Sequence, residues 1–550
     1  MSASTSGTVP AGTASYSSAH FSRQTRDLEL KADVLVIGGG LAGAWAALGA
    51  ARSGASVVLV DKGYCGTSGV TASGGPGHWW VPPDPAVRRA AIEKRSAAAE
   101  GLADERWMER VIDLTWRTLP TLAGHYDFPV DAQGVTQYRG LRGPEYMRAM
   151  RSLVQQAGVR ILDQSPALEL LADPSGGVAG ARGVRRQEGD SWCVKSGAVV
   201  LATGGCAFLS RLLGSDTNTG DGYLMGVEAG AELSGMEFSN YYTVAPANST
   251  MTRSMAYAFA NYHDAGGRLL PIGAGPDSTR ALAKALLEGP VFCRLSRMPN
   301  DIREMLPRVS PNVSLAFRRQ GIDPFVDAFE VTLRGEGTVR GVGGLRVTDD
   351  ECRTTVPGLY AAGDAASREN VAGAISGGGA QNSAWALSSG LWAGQGAARK
   401  ALERRQRDAV LRPLGEAALR PSTQSAVGID DAIRIVQGEM LPLDKNLFRD
   451  GPTLTSSLQT LDALWTEARS LSGTNVRDVV RARESAALVA TGRWCYAAAL
   501  ARTESRGMHQ RSDAPAQDPH LAVRIAAGGL ERVWTRIPHH PLTSVLKEHL

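Results

Sequence analysis

Gly38, Gly40 and Gly43 stand directly behind an apolar run, Val34-Leu-Val-Ile37, and Asp61 closes a second one, Val57-Val-Leu-Val60. That order suits the binding of a dinucleotide. The first run reads as a buried parallel strand, and the glycines give a tight turn, a close backbone approach and a close helix–strand contact. A helix predicted over 41–53, opened by Leu41 and Ala42, directs its free N–H groups and positive dipole end at a pyrophosphate. Asp61 sits where a carboxylate accepts hydrogen bonds from ribose hydroxyls. A glycine-rich turn in an unrelated α/β domain is the competing reading, but strand, helix, second strand and terminal acid occur in order. A flavin or nicotinamide enzyme is the first hypothesis.

Other segments offer backbone to a flat ligand. From Lys62 to Gly77 nearly every residue is small, as expected where a loop passes an isoalloxazine ring; a plain surface loop is the alternative. Ala198-Val-Val-Leu-Ala-Thr-Gly-Gly205 is an apolar strand running into a second close-approach turn, and Cys206 beside it reads as a small buried hydrophobe. Asn218-Thr-Gly-Asp-Gly-Tyr223 opens a helix with an acid at its N-terminal end. Acid–base candidates gather between these glycine segments: Tyr241, Tyr242, Arg253, Tyr257, Tyr262, His263, Arg294 and Arg303. A tyrosine beside a cation can donate a hydrogen bond or act as base, although aromatic residues also serve as core. Arg253 and His263 are weighed the same way, since a lone histidine is commonly structural. Arg139 and Arg142 reach an anionic substrate or lie in a solvated loop.

The chain has 550 residues, 43% of them apolar, which is too long for one hydrophobic core and compositionally globular. With 59 basic and 55 acidic residues the formal charge is +4, too small a field to capture nucleic acid or an anionic membrane. No apolar stretch approaches the ~18 residues needed to span a bilayer. The six cysteines form no CxxC pair and no CxxCH, so neither a metal site, an iron–sulfur cluster nor attached haem is expected. The sequence thus predicts a soluble, cytoplasmic protein with a small-molecule substrate, no nucleic acid, no membrane insertion and homo-oligomerisation open.

The fold class is α/β. A Rossmann-like dinucleotide-binding domain is interrupted by an α+β capping domain and followed by a C-terminal helical domain. The expected boundaries are a disordered tail at 1–30, the first part of the nucleotide domain at 31–232, the cap at 233–340, the second nucleotide part at 341–397 and the helical domain at 398–550. Within them, helices are predicted over 84–124, 143–158, 223–231 and 384–399, and strands over 159–200. Dinucleotide-fold character returns at Gly358-Leu-Tyr-Ala-Ala-Gly-Asp364 and Gly373-Ala-Ile-Ser-Gly-Gly-Gly-Ala-Gln-Asn-Ser383.

These segments in this order resemble the flavoproteins of the succinate dehydrogenase and fumarate reductase group, which also holds L-aspartate oxidase and the adenylylsulfate reductase flavoprotein subunit. A last marker, Glu504-Ser-Arg-Gly-Met-His-Gln-Arg-Ser-Asp-Ala-Pro515, is similar to that group's Ser-Arg-Gly-x-His-x-Arg-x-Asp-x-Pro stretch. The resemblance implies FAD, with pyrophosphate at Gly38, Gly40, Leu41, Ala42 and Gly43, and adenosine ribose near Asp61 and Lys62. It places the flavin against Thr67, Ser68, Gly74 and Gly75, with Ala167, Thr203, Gly204, Gly205 and Asp221 shaping the far side. Gly363 and Asp364 then hold the ribityl and phosphate portion, and Asn382 and Ser383 approach the pyrimidine edge. In this picture His509 locks the C-terminal region onto the rest.

The departures carry as much meaning as the matches. Relatives with covalent flavin carry a histidine where this chain reads Thr67-Ser-Gly-Val-Thr71, so the FAD is expected to be noncovalent, with a lower potential that disfavours succinate oxidation. The group grips a dicarboxylate with a His in His-Tyr-x-Met-Gly-Gly and an Arg in Gly-Ala-Asn-Arg; here the stretches are Val339-Arg-Gly-Val-Gly-Gly344 and Gly373-Ala-Ile-Ser376. A third His is replaced by Tyr242. Each lost charged hydrogen bond forfeits roughly 1.5–3 kcal/mol. Arg340, one residue from the lost histidine, is a catalytic candidate, and a surface salt bridge accounts for it equally well. Arg294, Arg297 and Arg303 fall in the region of the group's proton-shuttling arginine. The expectation is an FAD-dependent oxidoreductase dehydrogenating a small substrate other than a simple C4 dicarboxylate, with oxygen or a protein as electron acceptor. An ene-reductase, a flavoprotein subunit of an electron-transfer complex and a nonenzymatic flavin scaffold are the alternatives.

Overall fold

The computed structural model describes residues 27–537 apart from 132, 251–254, 276, 310, 377, 404–409 and 422. Its largest sheet has eight strands: β1 (Leu28–Ile37), β2 (Val57–Val60), β3 (Arg160–Leu162), β4 (Ala167–Ala172), β5 (Val178–Val184), β6 (Ser191–Leu201) and, later in the chain, β13 (Leu359–Ala361) and β14 (Arg412–Pro413). β1 runs parallel to β6 on one side and to β2 on the other, and β3 and β13 extend the parallel set. β6 changes partners along its length: Ser191 to Lys195 pair with β5, and Val199 to Leu201 pair with β13. The parallel half carries the near-continuous apolar runs that burial on both faces demands.

β1 begins earlier than the expected boundary at 31. Leu28 and Leu30 lie against the main core, and Leu28 is in register with Trp192, so the last residues assigned to the tail are strand. The rest of that tail, 1–26, lies outside the described residues.

On the sheet pack α1 (Leu41–Arg52), α4 (Gly143–Gln156) and the long α9 (Gly378–Glu403); α2 (Pro85–Ala98) and α3 (Glu105–Thr118) come between α1 and α4 in the chain. The predicted helix over 84–124 is two helices, because Asp84 and Asp104 each accept a hydrogen bond from a backbone N–H of the turn that follows and so start separate N-termini. α1 and α9 approach so closely that glycine is required. A Cβ on Gly394 would lie 2.1 Å from the carbonyl oxygen of Ala46, and one on Gly390 would lie 2.5 Å from that of Ala42.

The cap is an antiparallel sheet in the order β8 (Tyr241–Pro246), β11 (Phe329–Glu336), β10 (Val291–Arg294), β9 (Asn261–Asp264), with α6 (Ser278–Glu288), α7 (Asn300–Val309) and α8 (Pro311–Gln320) between strands. It has its own apolar cluster, which includes Tyr262, Val291, Phe317, Phe329 and Val331. α5 (Asp221–Glu228) precedes it. α10 (Ile429–Met440), α11 (Gly451–Ala468) and α12 (Val476–Ala501) form the helical C-terminal region. That region is not helix throughout: β14 pairs with β4, and β15 (Ala526–Gly528) and β16 (Trp534–Arg536) join β7 (Leu233–Ser234) and β12 (Gly344–Leu345) in a third sheet. Strands of two or three residues are too short to show alternation.

The α1–α9 contact gives a stability prediction. Gly394→Val forces two backbones apart and lowers the urea midpoint by the equivalent of about 2–3 kcal/mol, whereas Gly438→Ala, on the exposed face of α10 with open space around it, is neutral or stabilises by about 0.5–1 kcal/mol. Equal midpoints for the two variants would refute the contact.

Candidate functional site

The turn after β1 is built for close approach. Gly38 has φ +109°, and a Cβ there would lie 2.3 Å from the carbonyl oxygen of Ala202 at the end of β6; a Cβ on Gly43 would lie 1.8 Å from the Gly38 carbonyl oxygen. α1 starts at Leu41 with no side-chain cap and no acid in its first turn, so the N–H groups there face outward for an anion. Gly40 and Gly69 face one another across open space, the nearest atom to a Cβ on Gly40 being the Gly69 Cα at 4.0 Å. Gly74 and Gly75 likewise have nothing closer than 3.6 and 3.8 Å. Gly69 is held at φ +79°, which itself favours glycine, whereas at Gly40, Gly74 and Gly75 the chain's own packing does not demand it, as fits a ligand passing close to the backbone there.

Asp61 is buried at the end of β2 and organises the loop. It accepts hydrogen bonds from the N–H of Gly39, the N–H of Gly63 at 2.7 Å and the Ser68 hydroxyl at 2.6 Å. A carboxylate has about four acceptor sites, which leaves room for a ribose hydroxyl. Ser68 is thereby a fastener of the loop, and Thr67 is exposed beside it. Ala167 opens β4 near the same corner, where the Ser165 N–H donates to the Asp61 carbonyl at 2.7 Å.

Lys62 is partly buried, and its ammonium donates to Asp221 at 2.7 Å, Thr219 at 2.9 Å and Glu484 of α12 at 3.0 Å. Burial works against its charge, but Asp221 and Glu484 outweigh that and raise its pKa. Lys62 and Asp221 thus tie the nucleotide loop to the C-terminal helices. Across the cradle, Thr203 Oγ1 and Asn382 Oδ1 are buried with no partner among the described residues, which fits hydrogen bonding to a bound FAD. Gly204 adopts φ +75° against the Asn218 amide, and Gly205 packs on Thr338. Ser383 lies in the first turns of α9 beside Asn382.

The short turn Gly337–Arg340 links β11 back to the flavin-side sheet. Thr338 Oγ1 accepts from the Cys206 N–H at 2.8 Å and meets the Tyr223 hydroxyl at 2.9 Å. Arg368 is buried, paired with Asp364, and donates to the carbonyls of Thr338, Val339 and Gly341. Asp364 also accepts on its carbonyl from Tyr223 at 2.7 Å, and Gly363 sits at φ +64° against Ala42. The hinge of the cap and the phosphate-side glycines are one hydrogen-bonded unit.

Of the expected catalytic residues, Arg340 alone lies on this hinge. It donates to the Tyr241 hydroxyl at 3.3 Å, its guanidinium is 4.8 Å from the Tyr241 ring centroid, and no carboxylate pairs with it among the described residues. Among the described residues no salt bridge gives that other account of Arg340. Tyr242 points away: its hydroxyl donates to the Leu441 carbonyl at 3.0 Å, and burial raises its pKa, so it pins the cap to the helical region and is no base. Arg294 is exposed at the far end of β10; the register Cys293↔Phe329 puts it about 25 Å from Glu336 at ~3.4 Å per residue. His263 pairs with Phe292 on the outermost strand, also remote from the hinge. Both corrections come from strand register, which the sequence does not display. Arg253 lies outside the described residues.

Sequence reasoning passed over three residues. His78, just past the glycine loop, is fully buried against Tyr146, neither ring nitrogen has a partner among the described residues, and burial pushes its pKa down to about 3. Its only sequence signal is its place after Gly74 and Gly75. Asn240 and Ser376 are buried around Met508: the Asn240 amide donates to the Met508 carbonyl at 2.9 Å, and the Ser376 N–H meets its sulfur at 3.2 Å. His509 is buried, but its hydrogen-bond partners, Arg449 at 2.9 Å and the Arg502 carbonyl at 3.1 Å, both belong to the C-terminal region, so it fastens that region internally instead of onto the rest; burial followed by the Arg449 charge keeps it neutral.

Comparison with known proteins agrees with this geometry. A family model for an FAD binding domain matches residues 33–257, and one for the fumarate reductase flavoprotein C-terminus matches 438–531. The chain is 30% identical over 540 residues to an L-aspartate oxidase of Mycobacterium tuberculosis, covering 91% of this chain and 96% of that protein. It is 28% identical over 438 residues to a fumarate reductase flavoprotein subunit of the same organism, covering 69% and 72%. The fold matches E. coli quinol fumarate reductase with a TM-score of 0.78 at 20% identity, over 94% of this chain and 97% of that one. It also matches an adenosine-5-phosphosulfate reductase with a TM-score of 0.74 at 18% identity, over 95% and 99%. The glycine turn after β1 and the second close approach at Thr203 fall within the first matched segment and the motif at 504–515, just past α12, within the second, and the chain belongs to the succinate dehydrogenase/fumarate reductase flavoprotein family of FAD-dependent oxidoreductases.

Proposed function

We propose that this enzyme dehydrogenates a small organic substrate other than a simple C4 dicarboxylate, over a noncovalently held FAD. The observation that carries the reading is the content of the three positions that the resemblance assigns to the dicarboxylate grip. They hold Val339, which is buried and apolar, Ser376, and Tyr242, whose hydroxyl is already used by Leu441. No imidazole or guanidinium occupies them. Noncovalent attachment rests on the run Thr67–Thr71, which holds no histidine where covalent relatives carry one; its Ser68 is hydrogen-bonded to Asp61.

Bound FAD supplies the two-electron acceptor. The chain supplies position: the N-terminus of α1 and the glycine turns hold the phosphates, the hinge at Thr338 fixes the cap over the site, and the aromatic and apolar surroundings exclude water. Arg340, at the end of the hinge, is hydrogen-bonded to Tyr241 on the cap strand β8. Electrons then pass to oxygen or an acceptor protein. No helix among the described residues is long and apolar enough to cross a membrane, and a cytoplasmic setting is part of this proposal. The opposite direction, reduction of an activated double bond, is the second reading, supported by relatives named as fumarate reductases.

Acid precipitation is expected to release yellow FAD into the supernatant; colour kept on the pellet would overturn noncovalent attachment. In anaerobic titration, one class among amines, amino acids and saturated monoacids bleaches the flavin while succinate does not. Bleaching by succinate with reoxidation by fumarate at comparable rate would sink the substrate reading, and reoxidation by enones alone would favour the reverse direction.

A further inference from the structure

Arg368 holds the cap hinge and an acid of the cofactor cradle with one guanidinium. Its side chain is 2% exposed; Nη1 donates to the Asp364 carboxylate, and Nη2 meets the carbonyls of Thr338 at 3.3 Å, Val339 at 2.8 Å and Gly341. Two N–H bonds serve three carbonyls, so the hinge backbone is curled around the cation and no single bond accounts for the contact. The main chain repeats the connection: the Arg368 N–H donates to the Val342 carbonyl at 3.1 Å, and the Ser367 N–H to that of Leu345 at 2.8 Å.

Asp364 belongs to the cradle. It follows Gly363, whose N–H donates to Ser389 Oγ at 3.0 Å and whose carbonyl accepts from the Trp385 indole at 3.0 Å, both on α9. A Cβ on Gly363 would lie 2.6 Å from the Ala42 Cβ in the first turn of α1. The turn is therefore fixed against the helix N-terminus that faces the phosphates, and the resemblance assigns Asp364 to the ribityl and phosphate portion of FAD. Its side chain is 14% exposed, which leaves surface for a ligand to cover. An ion pair cut off from water attracts more strongly, and a carboxylate has about four acceptor sites, so a ribityl hydroxyl can replace the lost water. Covering Asp364 thus tightens its hold on Arg368, and Arg368 holds the hinge carbonyls.

We infer that Arg368 is a positioning residue that couples occupancy of the cofactor cradle to the order of the cap hinge: with FAD seated against Asp364, residues 337–341 are held more firmly than without it. Such coupling is reciprocal, so a loosened hinge weakens FAD binding by the same factor. The inference rests on Asp364 lying on the cofactor side and is independent of the substrate proposed above.

The test is hydrogen exchange read by mass spectrometry, in the holoenzyme and after removal of FAD, on peptides covering 335–343, with the glycine loop 62–77 as a cofactor control. In the parent protein FAD is expected to slow exchange at 335–343 about tenfold or more. R368Q and D364N are expected to lose that slowing at the hinge while keeping it at 62–77, and R368K, a cation without the planar fork, to keep part of it. FAD affinity is expected to fall about ten- to hundredfold in R368Q and in D364N, and no further in the double variant than in D364N. Melting temperature reports whether each variant is folded; if R368Q is not, the parent, D364N and R368K carry the same comparison. A hinge that exchanges alike with and without FAD in the parent overturns the inference, as does a variant hinge that exchanges faster by one factor in both states, or additive losses of affinity. Flavin that resists removal overturns noncovalent attachment and not the coupling. The holoenzymes then decide it: hinge exchange in D364N is expected to rise to that of R368Q, and exchange equal to the parent's overturns the inference.

Discussion

Backbone meeting backbone at the end of β1 is the constraint on which the rest of the molecule depends. Gly38 presses on Ala202, Gly43 on Gly38, and on the other side of α1 the carbonyls of Ala42 and Ala46 meet Gly390 and Gly394. α1 is thereby clamped between the sheet and α9 with no room for a single Cβ. The clamp fixes the helix N-terminus that faces the phosphates, and it fixes where α9 delivers Asn382 and Ser383. Interiors packed at crystal-like density transmit such a placement without slack. The glycines therefore set the geometry of the cofactor site from both ends.

A second layer of order comes from charges buried away from the cofactor. Arg502 is fully buried between Glu237 at 2.7 Å and Glu504 at 2.9 Å, and it also donates to the carbonyls of Leu521 and Val523. Arg506 adds a second contact to Glu504, and Arg449 donates to the Glu237 carbonyl at 2.6 Å. Such networks add little net stability compared with apolar packing, but breaking one partner strands a charge. Their effect here is register: the C-terminal motif has one way to seat against residues 237–240, and that seat brings Met508 to Asn240 and Ser376. The setting of Asn240 and Ser376 is thus decided by charges buried elsewhere in the C-terminal region.

The cap is joined to this frame through Thr338 and Arg368, so its position relative to the flavin loop is set by hydrogen bonds to backbone more than by apolar contact. Its apolar cluster is distinct from the main one and takes in Leu447 of the C-terminal region. Family membership and altered chemistry are compatible for that reason. The cofactor frame and the hinge are retained, while Val339, Tyr242 and Ser376, at the positions the resemblance assigns to the dicarboxylate grip, are free to differ because none of them closes the α1–α9 clamp.

The sequence by itself determined the cofactor and the family. Glycine spacing, strand-ending acids and the motif at 504–515 are local patterns, and each is legible because its physical requirement, such as a positive φ at Gly38, acts within a few residues. Strand and helix order in the nucleotide domain was legible for the same reason, since its apolar runs are long. Boundaries at weak elements were not: β15 and β16 are too short to carry a period, and Leu28 belongs to a strand through its pairing with Trp192, far along the chain. Only the tertiary structure decided which polar residues meet. Register sent Arg294 and His263 to the far end of the cap sheet, a carbonyl on the neighbouring helical region claimed Tyr242, and packing around Met508 gathered Asn240 and Ser376 from distant parts of the chain. Composition names the groups available for chemistry, but pairing register and long-range contact determine which of them meet.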